Sequence, residues 1–210
     1  MKKFPLSIAL VALFSLTGFA QNEIAPVVER EFGYQDWTYK NLEGNGETNL
    51  RKFAAGKKLV MVVYWAPWCP NWRHDVAFVQ ELHSKYSDKG LTVIGVGEYD
   101  TVDRMRSHAK QFGLTFFNVY ESESTRARET TQHYTQRRAA GDTRRWGSPW
   151  YVFLEPSLLK PSGEVLAEKV NVVNGELVKG DIEKFIEGKL AASGTAVKPA
   201  DQKAETSSRP

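Results

Sequence analysis

The chain has 210 residues, 28 Lys+Arg against 25 Asp+Glu, a formal charge of +3, 41% hydrophobic and 12% aromatic content, and one cysteine, Cys69. That length and apolar content suit one well-packed domain and exclude a disordered chain, while the near balance of charge argues against a nucleic-acid footprint or an acidic tail protein. A single thiol excludes an internal disulfide, a disulfide-stapled fold and a multi-cysteine zinc site, so any chemistry of Cys69 is done alone or with another molecule.

Lys2 and Lys3 precede an apolar run from Leu6 to Leu16, and Gly18-Phe19-Ala20 offers small residues where a signal peptidase reads. This predicts a cleaved leader over residues 1–20. The run is shorter than the ~20 residues a spanning helix needs, and Gln21 stands where a lipoprotein would carry Cys. The expected mature protein is periplasmic or secreted, with no membrane span. Residues 21–35 read as an N-terminal arm, 36–190 as the folded domain, and 191–210, rich in Ala, Ser, Thr, Lys and Pro, as a disordered tail.

Within the domain, Trp37-Thr38-Tyr39 opens a short strand, 42–46 a turn, and Asn49 caps a helical turn over 50–53. Leu59 to Trp65 is a continuous β-branched and apolar run, the pattern of a strand buried on both faces. Pro67 and Pro70 break it. Val76, Phe78, Val79 and Leu82 then predict a helix over 71–85, ended by Lys89-Gly90. A second buried strand follows over 91–97, a helix over 102–112 closed by Gly113, and a short strand over 116–120. Residues 124–138 are polar and Arg-rich and read as a solvated helix. A third strong strand is predicted over 150–155, its antiparallel partner over 165–173, and a terminal helix over 181–190 with Ile182, Phe185 and Ile186 inward. The order β-α-β-α-β, then ββα, implies an α/β fold with a central mixed sheet flanked by helices.

Trp65-Ala66-Pro67-Trp68-Cys69-Pro70 closes a buried strand and opens a helix. With Asn41-Leu42-Glu43-Gly44, Lys89-Gly90-Leu91-Thr92-Val93-Ile94-Gly95-Val96 and Phe112-Gly113-Leu114-Thr115-Phe116, it resembles the TlpA/ResA-like branch of the thioredoxin superfamily, exported thiol-disulfide proteins related to the redoxin and AhpC/TSA families. The resemblance spans roughly residues 36–190 and implies a thioredoxin-like fold. The family pattern is Cys-x-x-Cys; here it is Cys69-Pro70-Asn71-Trp72, with tryptophan in the resolving position. A peroxiredoxin pocket is not supported, because Ala66 stands where that group carries Thr or Ser and Val62 where it carries Pro.

At a helix start, unpaired N–H groups and the positive end of the dipole stabilise an anion, so Cys69 is the expected nucleophile. Asp75 occupies the acidic position of the resembled Cys-x-x-Cys-x-x-Glu pattern; it either handles the thiol's proton or stabilises the first turn. Trp146-Gly147-Ser148-Pro149-Trp150 resembles the cis-proline loop of the fold. By that resemblance Ser148 and Pro149 meet a bound peptide beside Cys69, with Trp68, Trp72, Trp146 and Trp150 as an apolar rim or as packing. Arg126, Arg128, Arg137, Arg138, Arg144 and Arg145 form either a solvated face or a docking surface for an acidic partner. No cofactor is implied, and a Cys69/His74 metal pair lacks further ligands. The expected function is monothiol exchange or redox (antioxidant) chemistry on protein disulfides or small thiols, with an external reductant as resolver and a Cys69-linked dimer left open. The alternative is a non-catalytic peptide-binding module of the same fold.

Overall fold

The computed structural model describes residues 23–195. The expected leader lies outside them, as does the expected tail beyond Thr195. Ten strands and five helices follow in chain order: β1 (Ile24–Ala25), β2 (Val28–Gln35), β3 (Thr38–Asn41), β4 (Glu47–Asn49), α1 (Leu50–Ala54), β5 (Leu59–Trp65), α2 (Pro70–Tyr86), β6 (Leu91–Gly97), α3 (Val102–Gln111), β7 (Phe117–Tyr120), α4 (Gln132–Ala139), β8 (Trp150–Leu154), β9 (Val165–Val173), β10 (Glu176–Leu177) and α5 (Lys179–Thr195). Eight strands make one mixed sheet in the order β2-β9-β8-β5-β6-β7-β3-β4, and β1 pairs with β10 in a small parallel ribbon.

The sheet is organised by β5. It runs parallel to β6 and antiparallel to β8, and every residue from Leu59 to Trp65 is fully buried. Strand side chains alternate between faces, so Met61, Val63 and Trp65 enter one core with α2, α3 and α5. Val60, Val62 and Tyr64 enter a second core with α1 and the inner side of β2 and β9. A strand covered on both faces can afford no polar position, which is why its sequence is an unbroken apolar run. Both central strands end on the same edge of the sheet, and the chain leaves β5 there at Ala66.

Two segments differ from the sequence expectation. Residues 28–35 are an edge strand of the main sheet rather than an arm, antiparallel to β9 with bulges around Gly33. Its charged Glu29, Arg30 and Glu31 are exposed, as suits an edge. The terminal helix continues to Thr195, five residues into the stretch expected to be a disordered tail.

The tightest spot in the sheet is over Gly95 on β6. Trp65 Nε1 donates to Asn118 Oδ1 at 3.2 Å across it, and a Cβ at Gly95 would overlap that oxygen and lie 2.8 Å from the indole nitrogen. Gly95→Ala is therefore expected to destabilise the protein by about 1–3 kcal/mol, the cost of overpacking a filled core. Urea unfolding measures it; an unchanged midpoint would mean that Asn118 can yield its place.

Candidate active site

Three segments meet at Cys69: the exit of β5, the start of α2 and the loop before β8. Pro70 takes the first helical position, where a missing N–H costs nothing, and Cys69 is the N-cap with extended backbone (φ −73°, ψ 121°). Its side chain makes no capping bond. The thiol instead donates to the Ser148 carbonyl oxygen at 3.0 Å, while Ser148 Oγ accepts from the Ala66 N–H at 3.0 Å. The Ser148–Pro149 bond is cis. Cys69 is only 6% exposed, and it lies on the floor of a groove of about 640 Å³ lined by Trp68, Asn71, Arg144, Arg145, Trp146 and Ser148.

Trp68 flanks the groove. Its indole N–H donates to the Tyr99 carbonyl at 3.1 Å, and its ring meets Trp146 edge-on at 5.0 Å. Arg128 and Arg145 lie 5.1 and 5.5 Å from the Trp146 ring, close enough for cation–π attraction. Tyr99, the residue whose carbonyl holds Trp68, has φ of 60°, the one positive φ at a non-glycine among the described residues. Such backbone is costly for an aromatic residue and is kept only where the surroundings enforce it.

Behind the groove a buried network holds the loop. The Tyr99 hydroxyl lies 2.8 Å from His133 Nδ1, and His133 Nε2 lies 3.2 Å from the Gly147 carbonyl. Burial, with Arg137 nearby, pushes the His133 pKa well below its usual value, so the ring is neutral. Its hydrogen bonds then fit one tautomer: Nε2–H donates to Gly147 and Nδ1 accepts from Tyr99. Arg137 is fully buried and donates to the carbonyls of Arg144 and Arg145 at 2.8 and 3.1 Å. Arg144 donates to the Pro149 carbonyl at 2.8 Å and pairs with Asp142 at 2.7 Å. Gly147 has φ of 61°, and a side chain there would run into Arg137.

The expectation of a solvated Arg-rich helix over 124–138 is thus corrected. The segment is a 3-10 turn (Thr125–Thr130) followed by α4, split where Thr131 caps the second helix through the Tyr134 N–H. One face of α4, His133, Gln136 and Arg137, is buried. Arg137 and Arg144 brace the loop from inside, which leaves Arg145 as the exposed arginine lining the groove.

Trp72 and Trp150 do not belong to the rim. Both are fully buried. Trp72, in the position of the absent second cysteine, stacks on Trp65 at 5.8 Å and donates from Nε1 to His108 Nε2 at 2.9 Å. Its expected role in substrate binding is therefore corrected to core packing: it continues the inward stripe of Val76 and Val79 on α2. Trp150 lies in β8 beside Tyr64. Asp75 is also fully buried. Its Oδ2 accepts from the Tyr151 hydroxyl at 2.7 Å and from the Leu177 N–H at 2.8 Å, tying α2 to β8 and β10, and no hydrogen bond joins it to Cys69 among the described residues. Burial, only partly offset by these bonds, raises its pKa.

Sequence reasoning missed Tyr99, His108, His133 and Glu176. Two signals were available. Tyr99 lies two residues past the C-terminal end of β6, where ligand-facing residues gather in α/β sheets. His133 and Arg137 are four apart, on one helix face.

Burial, and secondarily Arg73, lowers the His108 pKa from 6.5 to about 4. A base depressed in the folded state is protonated first in the unfolded chain. Its contribution is therefore present above pH 6.5, is lost as pH falls from 6.5 towards 4, and does not change further below that. The loss is up to about 3 kcal/mol. His108→Gln keeps an acceptor for Trp72 without titrating, so its urea stability should fall less than wild type's between pH 7 and 4.5. Parallel pH profiles for the two proteins would remove His108 from the acid response.

Residues 33–140, just over half of the chain, match the AhpC/TSA family. Thioredoxin-like protein YneN of Bacillus subtilis is 30% identical over 125 residues, covering 55% of this chain and 70% of that protein. Thiol-disulfide oxidoreductase ResA of Bacillus cereus is 26% identical over 123 residues, covering 55% and 69%. Among solved structures, a secreted thiol-disulfide isomerase from Corynebacterium glutamicum superposes with a TM-score of 0.56 at 17% identity, covering 78% of this chain and 92% of that one. A thioredoxin-family thiol:disulfide interchange protein from Chlorobium tepidum gives 0.54 at 18%, covering 77% and 97%. These two likenesses establish the thioredoxin fold. With a lone thiol at the start of α2 facing a cis-proline loop, the chain belongs to the AhpC/TSA family, as a TlpA/ResA-like member of the thioredoxin superfamily.

Proposed function

We propose that this protein is an exported monothiol thiol-disulfide oxidoreductase in which Cys69 is the attacking group and an outside thiol resolves the intermediate. The observation that carries this reading is the lone Cys69 thiol at a helix start, hydrogen-bonded to the Ser148 carbonyl on the floor of a groove, with a buried tryptophan in place of the second thiol. The names of the relatives supply the reaction class. The expected leader supplies the compartment, periplasmic or extracellular, where disulfides persist. No helix among the described residues is long and apolar enough to cross a membrane.

The steps follow from thiol exchange. Cys69 gives its proton to solvent and leaves its bond to Ser148. The anion sits at the N-terminus of α2, whose positive dipole end stabilises it. It attacks one sulfur of a substrate disulfide; a Cys69–S–S–R bond forms as R–S–S–R′ breaks, and R′S⁻ leaves and takes up a proton. A second, external thiolate then attacks the R sulfur, forms R–S–S–R″ and returns Cys69 to its reduced state. Trp68, Ser148 and Pro149 position the extended substrate, and Arg145 favours an acidic one. Trp72 acts through packing, and Asp75 fixes α2 on the sheet instead of carrying the thiol's proton. A second reading, a non-catalytic peptide-binding module, is favoured by the low exposure of the thiol.

Reduced mature protein, incubated with oxidised glutathione, should gain one glutathione by intact mass. Excess reduced glutathione should remove it, and Cys69→Ser should gain none. Non-reducing gels of the exported fraction should show mixed-disulfide bands, and any Cys69-linked dimer, in wild type alone. A native thiol that takes no adduct while the urea-unfolded chain does would sink the exchange mechanism in favour of the binding module.

A further inference from the structure

We propose that His74, Asp75 and Glu176 form a site for one first-row divalent cation of the Zn²⁺ class, on α2 and β10. This rests on neither the nucleophilicity nor the redox state of Cys69. Asp75 and Glu176 are 0% and 1% exposed, yet Asp75 Oδ1 and Glu176 Oε2 accept no hydrogen bond. A buried acceptor left unmatched is costly, and two carboxylates facing one another add repulsion. Both oxygens converge instead on one atom: His74 Nδ1 lies 3.4 Å from Asp75 Oδ1 and 3.0 Å from Glu176 Oε2. All three atoms lie within 4.8 Å of one another.

That spacing suits a metal ion. Zinc bonds of about 2.0–2.2 Å to nitrogen and oxygen place neighbouring tetrahedral ligand atoms about 3.3–3.6 Å apart. The two His74 edges are already near this, so the ion needs only a small approach of the two carboxylates. The Asp75 carboxylate and the Glu176 backbone are held in place without it. Asp75 Oδ2 is fixed by the Tyr151 hydroxyl and the Leu177 N–H, and Glu176 is anchored by its N–H donating to the Glu23 carbonyl at 2.8 Å. Such outer contacts orient metal ligands and raise affinity. His74 has a side chain 51% exposed, so the ion can enter from solvent and water can complete its coordination. An imidazole with two carboxylates favours zinc-like ions; Mg²⁺ and Ca²⁺ take mostly oxygen and need more ligands.

The test uses the mature chain carrying Cys69→Ser, so that no thiol can bind metal, stripped with a chelator at pH 7.5. Calorimetric titration with Zn²⁺ should show one saturable site, and a hundredfold excess over its Kd should raise the melting temperature by about 5 °C or more. Equal Mg²⁺ should not. His74→Ala removes the exposed ligand with little risk to folding, and the isosteric Glu176→Gln removes a buried one. Each should weaken Zn²⁺ by about tenfold or more. No saturable binding below about 1 mM, or a His74→Ala protein that binds as tightly as its parent, would overturn the site and leave His74 as a polar contact shared between two carboxylates.

Discussion

Ser148 joins the two halves of the site through both of its ends. Its hydroxyl accepts the Ala66 N–H at the exit of β5, and its carbonyl accepts the Cys69 thiol at the start of α2. The loop that carries it has no regular structure of its own, and a loop so exposed to solvent on one side would not keep a carbonyl aimed at a sulfur unaided. It is aimed from behind. His133, Arg137 and Arg144 each donate to a carbonyl of the Arg144–Pro149 stretch. Because His133 and Arg137 are fully buried, losing either leaves an unmatched carbonyl in the interior. The position of the nucleophile's partner therefore depends on a helix, α4, that never touches the nucleophile.

Trp72 shows how the loss of one thiol reaches the core. A cysteine there would be small; the indole instead fills the space between Trp65 and His108 and makes His108 an obligatory acceptor. The contact needs a neutral His108, because a protonated Nε2 could not accept the indole N–H, and burial supplies that neutrality. The substitution is thus not a point change in an otherwise unaltered redox turn. It is one member of a packed group that includes Trp65, which reaches on to Asn118 above Gly95.

How far the sequence reveals all this depends on the kind of residue that fills the interior. β5 and β6 were legible to the residue, because apolar β-branched runs bounded by Pro or Gly have one interpretation in an α/β chain. α2 was legible too, and the phase of its stripe, extended back from Val76 by four residues, places Trp72 inside; reading the tryptophan as a rim ignored that phase. α4 was not legible, since its buried face is His133, Gln136 and Arg137, and polar composition signals a solvated surface unless the partners are known. β2 was hidden by the charged residues that protect an edge strand. Cys69, Trp68, Ser148 and Pro149 were singled out because their strand-turn-helix and pre-strand loop resemble those of the thioredoxin fold, and the structure sets Trp68, Cys69 and Ser148 on one groove. Glu176 was not, since a two-residue strand carries no periodic signal and only the pairing of β1 with β10 brings it beside α2.

A thioredoxin-like protein with two thiols can discard a partner from within, so the lifetime of its covalent complex owes little to how well the partner fits. In the exchange mechanism proposed above, with Trp72 in the second position, a Cys69–S–S–R bond would last until another thiol reached it. Access to the floor of the groove then governs turnover, and so does the strength of the noncovalent contacts that hold the partner beside it. Here part of the groove wall is fixed: Trp68 is tied to Tyr99, and Gly147, next to Ser148, is tied through its carbonyl to the α4 network. Trp146, half-buried, meets the Trp68 ring edge-on and carries the exposed Arg145 over its own ring. In that proposed mechanism, Arg145, the exposed arginine of the groove, would draw in an anionic resolving thiol. Selectivity in such a protein resides in the walls of the groove, because the sulfur chemistry by itself distinguishes little.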